Sequence, residues 1–294
     1  MQAPGLETYL PLIQAAMHED LADLGDISSQ AMPLDTTGKW ELRSRQNAVF
    51  CGGFLAEDVI HRFDPQLQIV WNLDQPDGST VLADQSLGEV SGPVKSMLTA
   101  ERTLLNFLQR LSGIATLTRR FVELISETDA RIYDTRKTTP GWRSLEKFAV
   151  RCGGGCNHRM GLYDAILIKD NHLANVALSE LQQTLRDMIN RTRAQASNPD
   201  FVAVEVDTLE QFDRVLEVSG IDVILLDNFS IEDLSAAVVR RNQGGTEVGL
   251  EASGGVTLEN AAVVAATGVD RISTGAITFA APAVDLGLDQ THGK

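Results

Sequence analysis

The chain has 294 residues, 43% of them hydrophobic, and carries 25 Lys and Arg against 40 Asp and Glu, for a formal net charge of −15. That length supports one large or two ordinary domains with a sizeable core, and the acidity argues against general affinity for nucleic acid or anionic membranes. No run reaches the roughly 18 apolar residues of a spanning helix, no basic-then-apolar leader opens the sequence, and three cysteines give no disulfide framework, so a cytoplasmic protein is expected.

Taken in order, residues 6–22 place apolar side chains at helical spacing, and the GDIS that follows reads as a stop and turn. Residues 38–51 are rich in strand formers, 54–63 read as a short helix, and 67–73 and 79–91 read as strands with QPDGS turning between them. This predicts an N-terminal α+β domain with an antiparallel sheet. Pro93 suits a helix start, and a helical period is sustained to about residue 125, with Gly113 as a candidate break. Within it Leu98, Arg102 and Leu105 fall on one face. An arginine in an apolar stripe either snorkels to water or needs an anionic partner.

From residue 131 short β-rich runs (RIYD, AILIK, FVAVEV, DVILLD, EVGLEA, RIS) alternate with helical stretches near 142–151, 174–195, 208–218, 230–241 and 257–266. Such βα repetition predicts a parallel sheet. Six units are too few for an eight-unit barrel of about 250 residues, so an open, incomplete α/β barrel is expected. The last run, AITFAAPAVDLGL, has no helix of its own and is expected to return to the first domain. The predicted domains are 1–112, joined by 276–294, and 113–275.

Residues 131–172 invert the sign of the chain. Eight basic residues, among them Arg136, Lys137, Arg159 and Lys169, face four acidic ones, so this stretch is net +4. A compact reversal of this kind suits an anion pocket, whereas nucleic-acid surfaces spread basic charge over a whole face. Gly153, Gly154 and Gly155 allow close backbone approach, and Asn157, His158 and Arg159 follow as donors. Cys152, Cys156 and His158 are conceivable zinc ligands by residue type, but C-x3-C-x-H has no evident fourth ligand. Active sites of parallel barrels lie at the carboxyl ends of the strands. Those ends carry Asp134 to Lys137, Lys169 to Asn171, Glu205, Asp207, Asp227, Asn228, Ser253 to Gly255 and Ser273 to Gly275. Basic groups there suit carboxylate or phosphate, the glycine turns offer N–H groups to phosphate, and the acids suit Mg²⁺ and sugar hydroxyls.

DTRKTTPGWR, KFAV, GGGCNHR, LIKDNH, VEVDT, LLDNFS, LEASGGV and GVDRISTGAIT, in this order from about Thr99 to Asp285, resemble the signature of the quinolinate phosphoribosyltransferase family. The resemblance implies an open α/β barrel and transfer of a phosphoribosyl group from phosphoribosyl pyrophosphate to quinolinate, with decarboxylation. By position it assigns Arg136, His158, Arg159 and Lys169, with Arg102 from a neighbouring subunit, to the quinolinate carboxylates. It assigns Lys137, Glu205, Asp227, Ser253, Gly254, Gly255, Ser273 and Gly275 to phosphoribosyl pyrophosphate, with Lys137, Glu205 and Asp227 as the catalytic set. Glu205 and Asp227 are also placed at Mg²⁺, held directly or through substrate and water. Arg45 matches a first-domain arginine of the family, although Gln46, Asn47 and Ala48 depart from the family's pattern there. A homodimer with a shared active site is implied, with higher assembly left open. The alternatives are a related transferase of the same fold acting on another pyridine or pyrimidine-like acid, a Schiff-base aldolase using Lys169, and a non-enzymatic binding protein.

Overall fold

The computed structural model describes residues 2–32, 36–195 and 199–291 and divides into two compact units. The first comprises residues 1–119, 138–154 and 277–294, and the second residues 120–137 and 155–276. The expected boundary after residue 112 falls inside a helix, Val94–Leu124, that runs unbroken for 31 residues.

In the first unit a four-stranded antiparallel sheet has the order Leu286–Gln290, Thr37–Ser44, Ser86–Pro93, Gln68–Trp71. The C-terminal run does return to the first sheet, as expected. The predicted strand over 79–91 divides instead. Thr80–Val81 pairs with Ala48–Val49, and the chain turns through Asp84, a non-glycine residue at φ 62°, before re-entering the main sheet. The helix Gly53–Phe63 is anchored by Asp77, whose carboxylate accepts the N–H groups of Gly52, Gly53 and Phe54 at 2.6–2.9 Å. These are donors that a helix start leaves without intrahelical partners.

Along Val94–Leu124, Met97, Ala100, Leu104, Leu108, Leu111 and Ala115 are buried at three- and four-residue spacing. Gly113 does not break the helix. A Cβ there would lie 2.0 Å from the Pro282 carbonyl oxygen, so the glycine admits the returning C-terminal segment. The apolar stripe predicted around Arg102 is corrected too. Leu98 is 42% exposed and Arg102 is exposed, so of the three only Leu105 is buried. Arg110, half-buried on the same helix, donates to the carbonyls of Ala281 and Thr278 and to the fully buried Glu146, which in turn accepts from Thr139.

The second unit holds six parallel strands in the order Arg131–Tyr133, Arg271–Ser273, Gly249–Ser253, Val223–Asp227, Val202–Val206, Ile166–Ile168. They are the six predicted runs, with helices between them, in an open sheet. Val202–Val206 is buried throughout and Val223–Asp227 nearly so, as expected of parallel strands covered on both faces. The helix predicted over 174–195 is a short turn of helix, Asp170–Leu173, followed by Leu181–Gln195. Among the described residues no helix is long and apolar enough to cross a membrane.

Candidate active site

Strand side chains alternate between faces, so the cross-strand register fixes which residues share a side. Arg131, Arg271, Glu251, Leu225 and Glu205 are successive partners across five strands. Lys169 continues this row beside Glu205, because Leu167 pairs with Ala203. Two residues nearer the carboxyl ends, Ser273 pairs with Tyr133 and Ser253 with Asp227. One face of one sheet therefore carries an ordered array of charge and hydroxyl groups that ends at the carboxyl edge of the strands.

At that edge the Lys169 ammonium donates to Glu205 at 2.6 Å. Glu205 is 7% exposed and the Lys169 side chain 44%. A cavity of about 310 Å³ opens beside Glu205, lined also by Asp170, Asn171, Asp207 and Gln211. Burial, with the charges of Asp170 and Glu205, raises the Asp207 carboxyl above its ordinary value. Among the described residues no cluster of three or more acidic, histidine or cysteine side chains forms a metal cage.

The loop carrying Asn157, His158 and Arg159 is fixed by Asp134. This fully buried carboxylate accepts from the Asn157 amide at 2.6 Å and from the His158 N–H at 2.7 Å. The His158 ring accepts the Arg159 N–H at Nδ1 (2.9 Å), which makes Nε2 the protonated nitrogen, and Nε2 lies 3.4 Å from Glu251 Oε1. On its other side Glu251 meets Arg271 Nε at 2.8 Å, and the Arg271 guanidinium lies 3.9 Å from the centre of the Tyr133 ring. Burial alone would raise the Glu251 carboxyl, but His158, Arg271 and Ser273 outweigh it and hold the group below its ordinary value. Arg159 is depressed by burial and then by repulsion from Arg136. The Arg159 guanidinium also donates to the Ala165 carbonyl at 3.3 Å.

The third element is the pair of turns at Asp227 and Ser253. Gly254 and Gly255 both take left-handed backbone conformations, at φ 88° and 61°. The turn is pinned by Asn260, which donates to the Gly255 carbonyl at 3.0 Å and accepts the Thr257 N–H at 2.8 Å. Thr274, between Ser273 and Gly275, accepts the Ala276 N–H and donates to the Val256 carbonyl.

The second unit thus contains Arg136, Lys137, His158, Arg159, Lys169, Glu205, Asp227, Ser253, Gly254, Gly255, Ser273 and Gly275, whereas Arg102 and Arg45 belong to the first. Arg45 pairs with Asp289 at 2.5 Å. Residue reading placed Asp134 and Asn228 among the strand-end groups without telling their individual tasks, and it gave no role to Glu251 or Arg271. Within LEAS and DRIS these two read as parts of strands, and only the register shows them as neighbours.

Family models for the N-terminal and C-terminal domains of quinolinate phosphoribosyl transferase match residues 26–112 and 114–289. The chain is 42% identical over 282 residues to nicotinate-nucleotide pyrophosphorylase (carboxylating) of Mycobacterium leprae, covering 94% of this chain and 95% of that protein. It is 36% identical to a probable enzyme of the same name from Bacillus subtilis, covering 96% and 94%. The solved nicotinate-nucleotide pyrophosphorylase of Francisella tularensis superposes with a TM-score of 0.87 at 38% identity, covering 98% of each chain.

Proposed function

This chain belongs to the quinolinate phosphoribosyltransferase family, and on that premise we propose how its own residues divide the work of phosphoribosyl transfer to quinolinate with loss of CO₂. The observation that carries the division is the spacing of charge along the sheet edge. The loop fixed by Asp134 presents His158 and Arg159 at one place, and Asp227 with the Ser253–Gly255 turn stands at another. The first suits the two carboxylates of quinolinate, held with His158 Nε2–H and the Lys169 ammonium. The second suits phosphoribosyl pyrophosphate, with Lys137, Ser273 and Gly275 added.

Two carboxylates, Glu205 and Asp227, stand on neighbouring strands of one face, and among the described residues no third ligand completes a cage. This donor set fits Mg²⁺, which is ordinarily shared between one or two carboxylates, water and substrate phosphates. When bound, the ion supplies charge neutralisation for the departing pyrophosphate. The protein's own contribution is positioning and electrostatics. The pyridine nitrogen is held against the anomeric carbon, Glu205 and Asp227 oppose the positive charge that develops on the ribosyl ring, and Lys137 faces the leaving group. Once the ring nitrogen is quaternary it accepts the electrons left as the adjacent carboxylate departs as CO₂.

The Lys169 amine is engaged by Glu205 at 2.6 Å, which does not favour the Schiff-base alternative, since that role needs the amine free to attack a carbonyl. The decisive assay supplies quinolinate, phosphoribosyl pyrophosphate and Mg²⁺ to purified protein. Co-production of CO₂, pyrophosphate and nicotinate mononucleotide is expected, with nicotinate a poor substrate because it leaves cationic donors unpaired. Equal efficiency with nicotinate would overturn the decarboxylating role of the site.

Arg102, exposed on its helix, is proposed to enter the site of a second subunit, which makes the working form a homodimer. Mixing inactive Arg102→Ala with inactive Lys169→Ala should then restore activity through heterodimers. Demonstrated heterodimers without recovery would confine Arg102 to its own subunit. The proposed compartment is the cytoplasm, in keeping with Cys51, Cys152 and Cys156 forming no disulfide.

A further inference from the structure

Asp227 is the last residue of its strand, and on a regular strand the next side chain would point to the opposite face. Asn228 does not follow that rule. It is one of three non-glycine residues at positive φ among those described, at 55°, a left-handed conformation that asparagine tolerates better than most residues. This reversal carries its amide back to the side of Asp227, where Nδ2 donates to Asp227 Oδ2 at 2.8 Å. The backbone is locked in the same place, because Asn228 N–H donates to the Ser253 carbonyl at 2.8 Å. The other end of the amide lies under the glycine turn. A Cβ built on Gly254 would fall 2.2 Å from Asn228 Oδ1 and 3.0 Å from Asn228 N. One exposed side chain therefore touches both parts of the corner assigned above to phosphoribosyl pyrophosphate: the carboxylate through its N–H, and the glycine turn through its oxygen.

We propose that Asn228 is a positioning residue for phosphoribosyl transfer, which occupies one oxygen of Asp227 so that the other is presented to the ribosyl substrate, and which fixes the height of the Ser253–Gly255 turn against it. Backbone conformations of this kind persist where the surroundings over-determine them, and they concentrate at functional sites. A purely conformational role for Asn228 would be served better by glycine, which adopts positive φ freely. The inference rests on the assignment of Asp227 to the ribosyl side of the site.

Three variants, assayed against Asp227→Asn as a control, separate the possibilities. Asn228→Gly keeps the turn and removes the amide. Asn228→Asp keeps the shape but replaces the donor with a carboxylate facing Asp227, and Asn228→Ala loses both amide and conformational tolerance. Only Asn228→Ala should lower the thermal unfolding temperature. All three should lower kcat by about 10- to 100-fold, the usual consequence of removing a partner that orients a ligating carboxylate, with KM for quinolinate within about twofold of the parent. Calorimetric binding of phosphoribosyl pyrophosphate without quinolinate should weaken in Asn228→Gly and Asn228→Asp, whereas quinolinate binding should hold. Parental kcat and phosphoribosyl pyrophosphate binding in Asn228→Gly would overturn the inference and leave a turn-forming role. If Asp227→Asn is also fully active, the assignment of Asp227 itself fails. An inactive Asp227→Asn beside an unimpaired Asn228→Gly would remove the inference alone.

Discussion

Two glutamates on one row of the parallel sheet make contrasting ion pairs. Glu251 is fully buried between His158 and Arg271, whose side chain is 16% exposed and lies against Tyr133. Glu205, separated from it along the row by Leu225, pairs with a Lys169 whose side chain is 44% exposed beside an open cavity. The residue types and the strand face are shared, yet the first pair has its partners fixed in the interior and the second can exchange its partner for a ligand. Desolvation makes this difference. A sealed pair cannot lose one member without stranding a charge, whereas a rim pair can be replaced by water or substrate at little expense.

The largest effect should come from breaking the sealed pair. Glu251→Ala leaves Arg271, whose side chain is only 16% exposed, without its carboxylate and is expected to destabilise folding by about 3 kcal/mol, toward the lower end for one partner of a buried pair. Denaturant unfolding read by fluorescence measures it, and a loss below about 1 kcal/mol would show that the interior tolerates the stranded charge. Replacing both residues, as in Glu251→Leu with Arg271→Met, should recover much of that stability. It should still lower quinolinate affinity if His158 needs Glu251 to orient its ring.

Glu205→Ala sharpens the contrast from the other side. Its stability should stay within about 1 kcal/mol of the parent, in keeping with a partly exposed ion pair, while turnover falls by roughly 10- to 100-fold. A large loss of stability with unchanged turnover would place Glu205 in the same class as Glu251.

The smallest effect is in acid. Because the Glu251 carboxyl is held below its ordinary value of 4.5 in the folded protein, its contribution is fully present above that pH and is lost as the pH falls through the folded value. The stability gap between the parent and Glu251→Gln should therefore be widest near neutrality and narrow below about pH 4.5. A gap that widens in acid would reverse the sign of the assignment.

Sequence periodicity exposed most of the scaffold, since parallel strands buried on both faces leave unbroken apolar runs such as VILLD. Where it misled, a tertiary contact had overridden a local signal. Gly113 carries the mark of a helix break, yet it stays helical because Pro282 needs the space of the missing side chain. Leu98 resembles a core position on a helix whose buried face lies elsewhere. At the active site, strand-end charges were legible because they interrupt apolar runs. Asn228 was legible only as a polar residue at a strand end, because its left-handed turn and its approach to Gly254 depend on a strand distant in sequence.

The return of Leu286–Gln290 to Thr37–Ser44 has a consequence for synthesis. The strand at residues 37–44 leaves the ribosome about 250 residues before its outer partner, an interval of roughly 12–50 seconds at 5–20 residues per second. Throughout that time one edge of the first sheet is unpaired and open to the strands of other nascent chains. Chains truncated before residue 286 would keep that edge permanently, so ribosome stalling near the end of the message should leave aggregating fragments in place of shortened enzyme.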